Sequence, residues 1–180
     1  NRTLTFYPYL HGMPPFDMTR EILGQAIKVL YEIHQVNPQI FKCELPRIEG
    51  VQKDNEKFLH GDMTPSNMLV SYGKIEAIVD FELACVGPVE YDIARCAVFS
   101  WFRMKKDQNL RDLLGFAQQI YPEELKRQPL KKYAIDHTKS HLENIKRHEE
   151  SYQNKKDYRK EKQFTQKMLR RAKKELRSWK

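Results

Sequence analysis

The sequence predicts an α+β fold in which helices predominate and one small antiparallel β-hairpin supplies the strands. Two short runs rich in apolar and branched residues, Asn67–Val70 and Ile75–Val79, flank a turn that contains Gly73. This is the pattern of a hairpin. Before and after it, apolar side chains recur three and four positions apart, which places them on one face of a helix.

The amino-terminal part is predicted to pass from extended chain into a helix. Residues 4–10 contain aromatic residues and a proline that limits them to a sheet edge or a linker. A helix is expected over about 18–36, because its apolar residues have helical spacing and Asp17 or Thr19 can cap its start. An irregular connection over 37–56 follows, and long connections of this kind are often functional.

Beyond the hairpin, one loop and several helices are expected. Residues 85–89 contain a Gly-Pro pair and are predicted to form a loop. Helices are predicted over about 90–106, 110–120 and 123–135, where apolar residues again have helical spacing. From residue 137 onward the chain is polar and is expected to be helical throughout.

Charge is divided unevenly along the chain. Residues 1–125 contain 13 Lys+Arg and 17 Asp+Glu, a net charge of −4, whereas residues 126–180 contain 19 and 7, a net charge of +12. A basic helical tail either keeps its charged face in solvent or contacts an anionic nucleic acid or membrane surface. We expect the first and no nucleic-acid partner.

Cellular location is inferred from the cysteines and from the lack of targeting signals. Cys43, Cys85 and Cys96 are odd in number and lack the spacing of metal ligands, so we expect free thiols in a reducing cytoplasm. No apolar run reaches the length of a membrane span, and no signal-peptide pattern opens the chain.

Three side chains suited to acid–base and metal chemistry lie at the ends of the hairpin. Asn67 begins one strand, Asp80 follows the other, and Asp62 lies on the loop that leads in. We therefore expect all three to lie together at the open end of the hairpin, which we call its mouth. Phosphoryl transfer uses such a set. One carboxylate accepts the proton of the attacking hydroxyl, and a second carboxylate with an amide oxygen holds Mg²⁺ against the phosphates.

Two other interpretations stay open at this point. Asp and Asn favour turns, so each side chain could do only local structural work. His60 and Asp62 also open a facial triad for non-haem iron, which needs one more histidine, such as His137, His141 or His148. By analogy that site belongs to a jelly roll of many short strands, whereas the second half of this chain is predicted to be helical.

Several motifs around the hairpin have a recognisable spacing. They are His60-Gly61-Asp62-Met63-Thr64-Pro65-Ser66-Asn67, Ile78-Val79-Asp80-Phe81-Glu82, Gly87-Pro88 and Tyr91-Asp92-Ile93-Ala94. They resemble the aminoglycoside phosphotransferase and choline kinase-like family, small-molecule kinases with a protein-kinase-like fold. The resemblance implies a mostly helical carboxyl-terminal lobe whose hairpin carries the catalytic loop. Gly61 stands where protein kinases have an arginine.

The resemblance also implies roles for individual residues. Asp62 would be the catalytic base, and Asn67 and Asp80 would bind Mg²⁺. His60 and Asp92 would support the catalytic loop by hydrogen bonds.

Further assignments concern the metal site and the nucleotide. Glu82 is expected either to support the metal site or to cap a turn. Residues 1–16 would correspond to the hinge between the two lobes, where backbone groups at Phe6, Tyr7 and Tyr9 would meet the adenine.

The resemblance divides the chain into a hinge-like segment at 1–16, a kinase-like carboxyl lobe at 17–136 and a basic helical tail at 137–180, packed on the lobe or extending from it. The sequence has seven glycines and no G-x-G-x-x-G, so the family's amino-terminal nucleotide-binding lobe is expected to be missing from this chain.

The expected activity is transfer of the γ-phosphoryl group of ATP or GTP, with Mg²⁺, to a hydroxyl of a small molecule such as an aminoglycoside. The acidic balance of residues 1–125 is compatible with a cationic acceptor. The alternative is a catalytically incompetent lobe that acts as a binding or scaffold module.

Overall fold

The computed structural model describes residues 10–41, 43–48, 56–104, 108–152 and 158–179. Within them, helices form the body of the molecule, and two antiparallel strand pairs lie beside them. The mixed, mostly helical α+β composition predicted from the sequence is therefore confirmed.

The first helix, α1, is Arg20–His34. Thr19 caps it, since its hydroxyl oxygen accepts a hydrogen bond from the backbone N–H of Ile22 at 3.2 Å. This bond satisfies one of the amide donors left free at a helix start, so Thr19 rather than Asp17 is the cap. The buried face of the helix consists of Ile22, Leu23, Gly24, Ala26, Ile27, Leu30 and His34.

The predicted hairpin is confirmed. Strand β2, Met68–Ser71, pairs antiparallel with strand β3, Lys74–Ile78. Tyr72 and Gly73 form the two-residue turn, and both have positive φ, 47° and 77°. A turn of this kind matches the twist of the two strands and so favours a hairpin.

A second strand pair was not predicted. Lys57–Leu59 pairs antiparallel with Cys85–Gly87, and we number these strands β1 and β4 in chain order. The loop predicted over 85–89 is therefore wrong at its first three residues. All of β4 is buried, so its side chains show no alternation of apolar and polar residues that would mark a strand.

In the described part of the chain, four helices follow β4. They are α2, Val89–Arg103; α3, Leu110–Ile120; α4, Arg127–Tyr152; and α5, Tyr158–Ser178. The predicted bounds of α3 are confirmed, whereas α4 begins later than predicted and runs further. Pro129 lies in the first turn of α4, where its missing N–H breaks no helical hydrogen bond, so it opens the helix instead of interrupting it.

The core lies where α1, α2, α3 and α4 meet. Trp101 at its centre has no exposed surface, and its indole N–H donates to the carbonyl of Gln108 at 2.6 Å. Burial of side chains this large supplies most of the stabilisation of a small domain. The fully buried side chains around it include Leu23, Ile27, Leu30, Ile93, Leu113 and Leu130.

Helix α5 is attached to α2 through an arginine. The guanidinium of Arg171 lies 4.3 Å from the ring centroid of Trp101 and donates to the carbonyls of Trp101 and Gln108 at 3.0 and 2.8 Å. Ala172 and Trp179 on the same helix are buried. No helix formed by the described residues is long and apolar enough to cross a membrane.

Candidate active site

The loop that joins β1 to β2, residues 60–67, is anchored by a buried carboxylate on α2. Asp92 has no exposed surface. Its oxygens accept hydrogen bonds from the backbone N–H groups of His60 at 2.7 Å and Gly61 at 3.0 Å, and His34 Nε2 lies 3.3 Å away. A buried carboxylate is costly unless it is hydrogen-bonded, and three donors surround this one. Asp92 therefore fixes where the loop begins.

His34 extends this anchor to α3. Because the Asp92 carboxylate can only accept, His34 Nε2 carries the proton, and Nδ1 accepts from the hydroxyl of Tyr121 at 2.9 Å. Burial, together with the nearby charge of Glu123, raises the pKa of Tyr121, so the hydroxyl stays protonated and donates.

Gly61 occupies a place that no other residue fits. Its φ is +80°, and a Cβ built on it would overlap the carbonyl group of Leu83, at 2.7 Å from the carbonyl carbon. Only glycine adopts such a φ freely while letting another backbone approach so closely. The glycine found in place of the protein-kinase arginine therefore allows the turn after Asp80 to pack on the loop.

His60 ties the loop to the end of β3. Its Nδ1 accepts from the backbone N–H of Asp62 at 3.2 Å, and its Nε2 donates to the carbonyl of Val79 at 3.1 Å. These partners set the tautomer, since the amide can only donate and the carbonyl can only accept. The ring also packs on Phe81, with centroids 4.4 Å apart.

Asn67 lies beside Asp62 at the end of the loop. Its Nδ2 donates to the backbone carbonyl of Asp62 at 2.9 Å and to Asp62 Oδ2 at 3.0 Å. Both partners are acceptors, so the amide nitrogen faces Asp62 and Oδ1 faces away from it. The backbone carbonyl of Asn67 accepts from the N–H of Val79 at 3.0 Å, which places Asp80 one residue beyond this bond.

Asp80 is held differently. It is exposed, has a φ of 68°, and within the described part of the chain its carboxylate has no hydrogen bond or ion pair. A non-glycine residue in the left-handed region costs on the order of 1 kcal/mol or more and often marks a functional position. The structure thus brings Asp62, Asn67 and the backbone of Asp80 together at one end of the hairpin.

Glu82 is exposed in the turn that follows Asp80. The hinge residues Phe6, Tyr7 and Tyr9, and with them residues 1–9, lie outside the described residues. The adenine contact expected there stays a prediction.

Oxygen donors at the mouth fit Mg²⁺ better than iron. Asn67 Oδ1 and the Asp80 carboxylate are hard ligands, and Mg²⁺ commonly takes only one or two protein ligands. Among the described residues, no three His, Cys, Asp or Glu side chains are placed to hold a metal together.

Two of the three histidines considered for a facial triad, His137 and His141, are engaged elsewhere. His137 Nε2 donates to the carbonyl of Tyr91 at 3.2 Å, and His141 packs on Phe99 and Phe102. The strands of the described chain form two separate pairs, which is no jelly roll. The iron interpretation therefore has no support from these residues.

Arg95 is a site residue that the sequence did not reveal. Its Nε donates to Asp62 Oδ1 at 2.8 Å, and its Nη2 contacts the same oxygen. The ring of Phe99 lies 4.9 Å from its guanidinium. Arg95 follows Asp92 by three positions on α2, hence on the same helix face, and this spacing was the available signal.

A separate concavity lies away from these groups. It has a volume of about 530 Å³ and lies between residues 37–47 and β4. Its lining contains Phe41, Arg47 and Glu56 but none of the site residues described above.

Comparisons with known proteins agree with the motifs. Residues 44–130 match the model of the "Phosphotransferase enzyme family". Among solved structures, the chain is similar to macrolide 2'-phosphotransferase MphH from Brachybacterium faecium, with a TM-score of 0.55, 15% identity, and 86% of this chain and 66% of that chain covered. No curated protein sequence matches this chain.

It is also similar to spectinomycin phosphotransferase APH(9)-Ia, crystallised with ADP and spectinomycin, with a TM-score of 0.54, 14% identity, and 92% of this chain and 69% of that chain covered. At these identities the likeness shows the fold. The chain spans just under two thirds of the macrolide enzyme's length. The resemblance to the aminoglycoside phosphotransferase family is confirmed.

Proposed function

We propose a function that proceeds from one finding: residues 44–130 of this chain match the model of the phosphotransferase enzyme family. The protein transfers the γ-phosphoryl group of ATP or GTP to a hydroxyl of a small molecule such as an aminoglycoside. The observation that carries this proposal is the Asp62 carboxylate, held between two side chains near Asp80, whose own carboxylate has no partner among the described residues.

Asp62 is the catalytic base in this proposal. About a quarter of its side chain, 24%, is exposed, so an acceptor hydroxyl can reach it. The acceptor oxygen forms a bond to the γ-phosphorus, the bond from that phosphorus to the β–γ bridging oxygen breaks, and the hydroxyl proton passes to Asp62. Positioning supplies most of the rate enhancement in such reactions.

Asn67 and Asp80 are the proposed Mg²⁺ ligands. Asn67 Oδ1 is turned away from Asp62 because Nδ2 makes both contacts to it, and the Asp80 carboxylate has no partner among the described residues. When bound, the ion would neutralise charge on the nucleotide phosphates. His60 and Asp92 keep the loop in place, and Glu82 is an auxiliary candidate near the metal.

Nucleotide binding needs groups beyond these. Kinase-type sites cover the phosphates with a glycine-rich loop and pair them with a lysine, and the sequence has no G-x-G-x-x-G. We therefore propose that a further lobe completes the active enzyme. In this arrangement, residues 1–16 are the hinge, 17–136 the carboxyl lobe and 137–180 the basic tail, and Phe6, Tyr7 and Tyr9 meet the adenine.

The proposed location is the cytoplasm. Cys43, Cys85 and Cys96 are all free, as expected in a reducing compartment. Burial raises the pKa of Cys85 to about 11, with a smaller contribution from Asp92, so its thiol stays protonated. The partners that the proposal requires are the small-molecule acceptor, the nucleotide with Mg²⁺ and the further lobe.

The test uses the full-length protein in an assay of ADP release with a panel of amino-sugar, macrolide and simple alcohol acceptors. Asp62→Asn is expected to lower turnover about 10²- to 10⁴-fold, the usual contribution of a general base. Asp80→Asn should abolish Mg²⁺-dependent nucleotide binding in calorimetry. Glu76→Gln is the matched control, because Glu76 is an exposed carboxylate on β3.

A second candidate, the binding or scaffold module, is favoured by the lack of a phosphate-covering glycine motif. It predicts that the full-length protein neither releases ADP with any acceptor nor binds Mg²⁺–ATP. Nucleotide binding that survives Asp80→Asn unchanged would contradict the metal assignment.

A further inference from the structure

We propose that Arg95 is the positioning residue of the base: it holds Asp62 by one carboxylate oxygen and so presents the other oxygen to the acceptor hydroxyl. This role rests on the proposed phosphotransferase function. It goes beyond that function because Arg95 belongs to none of the motifs that carry the family resemblance.

Among the described residues, the contacts of Asp62 leave one lone-pair site of its carboxylate open. Oδ1 accepts from two nitrogens of Arg95, at 2.8 Å for Nε. Oδ2 accepts from Asn67 Nδ2 at 3.0 Å. A carboxylate has about four lone-pair sites, and these donors fill three of them. The remaining site is on Oδ2, and a hydroxyl proton that moves to Asp62 goes there.

Arg95 is itself held in place. Its guanidinium lies 4.9 Å from the ring centroid of Phe99 on the same helix, and only 21% of its side chain is exposed. Asp92, one helical turn earlier, binds the backbone of His60 and Gly61. One rigid helix therefore fixes both the loop backbone and the carboxylate that projects from it, which reduces the orientational freedom of the base.

Charge adds a second effect. An unpaired carboxylate would repel the phosphoryl group that approaches it, and a permanently charged guanidinium offsets that repulsion. Burial, with a contribution from Arg95, lowers the pKa of His137 and His141 to about 4, so these neighbours are neutral near pH 7. Lysine has neither the planar fork nor the stacking face that Arg95 uses here.

The experiment compares Arg95→Ala, Arg95→Lys and Arg103→Ala in the full-length protein, with Mg²⁺–ATP and the best acceptor of the panel. Arg95→Ala is expected to lower kcat about 10²-fold, the loss typical of a misplaced group, with KM for ATP changed less than about twofold. Arg95→Lys should retain only part of the wild-type kcat. Arg103 lies on the same helix as Arg95 and donates to the carbonyl of Pro15, outside that helix. Arg103→Ala is the matched control and should keep wild-type kcat.

Rescue separates positioning from a structural role. Millimolar guanidinium ion should restore part of the Arg95→Ala turnover, and should not affect the wild type or Asp62→Asn. Thermal unfolding of each variant shows whether it is folded, and if Arg95→Ala is not, the lysine variant decides alone.

The outcomes are distinct. Wild-type kcat in the folded Arg95 variants, with Asp62→Asn inactive, overturns the role of Arg95 and leaves the proposed function standing. A loss of activity that guanidinium does not restore and that appears as a raised KM also overturns the role of Arg95. A wild-type protein without turnover overturns both.

Discussion

The two acidic groups at the mouth of the hairpin are held in opposite ways. Both oxygens of Asp62 accept hydrogen bonds, Oδ1 from Arg95 and Oδ2 from Asn67. The loop that carries Asp62 is bound by Asp92. Asp80 is exposed, has a left-handed backbone and lacks a partner in the described part of the chain. A base must be in position before its substrate arrives. A metal ligand that is already paired would have to break that pair first, so leaving Asp80 unpaired favours binding.

The largest expected effect comes from removing Asp92, the side chain that anchors the loop carrying Asp62. Asp92→Ala leaves the backbone donors of His60 and Gly61 and the ring of His34 without a buried acceptor. We expect a loss of about 3–5 kcal/mol in the free energy of unfolding, measured by urea denaturation of the full-length protein.

Asp112→Ala is the control for this change, because Asp112 is an exposed aspartate on α3. Its free energy of unfolding should stay within about 0.5 kcal/mol of the wild type. Equal values for the two variants would show that Asp92 is no anchor and would remove the contrast between the two regions.

An intermediate effect is expected at Gly61, where the loop that carries Asp62 contacts the turn after Asp80. Gly61→Ala and Gly73→Ala both place a side chain at similar positive φ, 80° and 77°, but only position 61 faces another backbone, that of Leu83. Gly73→Ala should cost about 1 kcal/mol from left-handed strain alone. Gly61→Ala should cost roughly 2 kcal/mol more, because the turn after Asp80 must move away.

The measurement is again urea denaturation, combined with Mg²⁺–ATP calorimetry. Nucleotide binding should weaken in Gly61→Ala and not in Gly73→Ala. Identical behaviour of the two variants would mean that the contact between Gly61 and Leu83 does not couple the two regions.

The smallest expected effect is a pH dependence of the free energy of unfolding that arises from His137. Burial, with the charge of Arg95, lowers the pKa of His137 from 6.5 to about 4. The unfolded chain therefore binds more protons between these values, and stability is lost as the pH falls from 6.5 towards 4. Lowering the pH from 7 to 5.5 should cost about 1 kcal/mol through this residue.

His137→Gln is the matched variant, since glutamine can still donate to the carbonyl of Tyr91 but does not titrate. Its free energy of unfolding should fall less between pH 7 and 5.5. A parallel decline in both proteins would assign the acid sensitivity to other groups.

Local chemistry made much of the fold predictable. The turn at Tyr72 and Gly73, between two runs of branched residues, predicted the hairpin. Apolar residues three and four positions apart predicted α1 and α3. Strand β4 was misread because three buried residues carry no periodic signal. The start of α4 was predicted near residue 123 but lies at Arg127, with Pro129 in the first turn, where proline is well suited.

The sequence by itself determined which chemical groups are present and how far apart they lie along the chain: a base, an amide and a second acid at family spacing. Only the tertiary structure decided which of them are held and which are left open. Asp62 meets Arg95 across 33 positions, and His60 meets Asp92 across 32. No periodic pattern spans such separations, because these contacts are formed by the packing of helix against loop rather than by either segment alone.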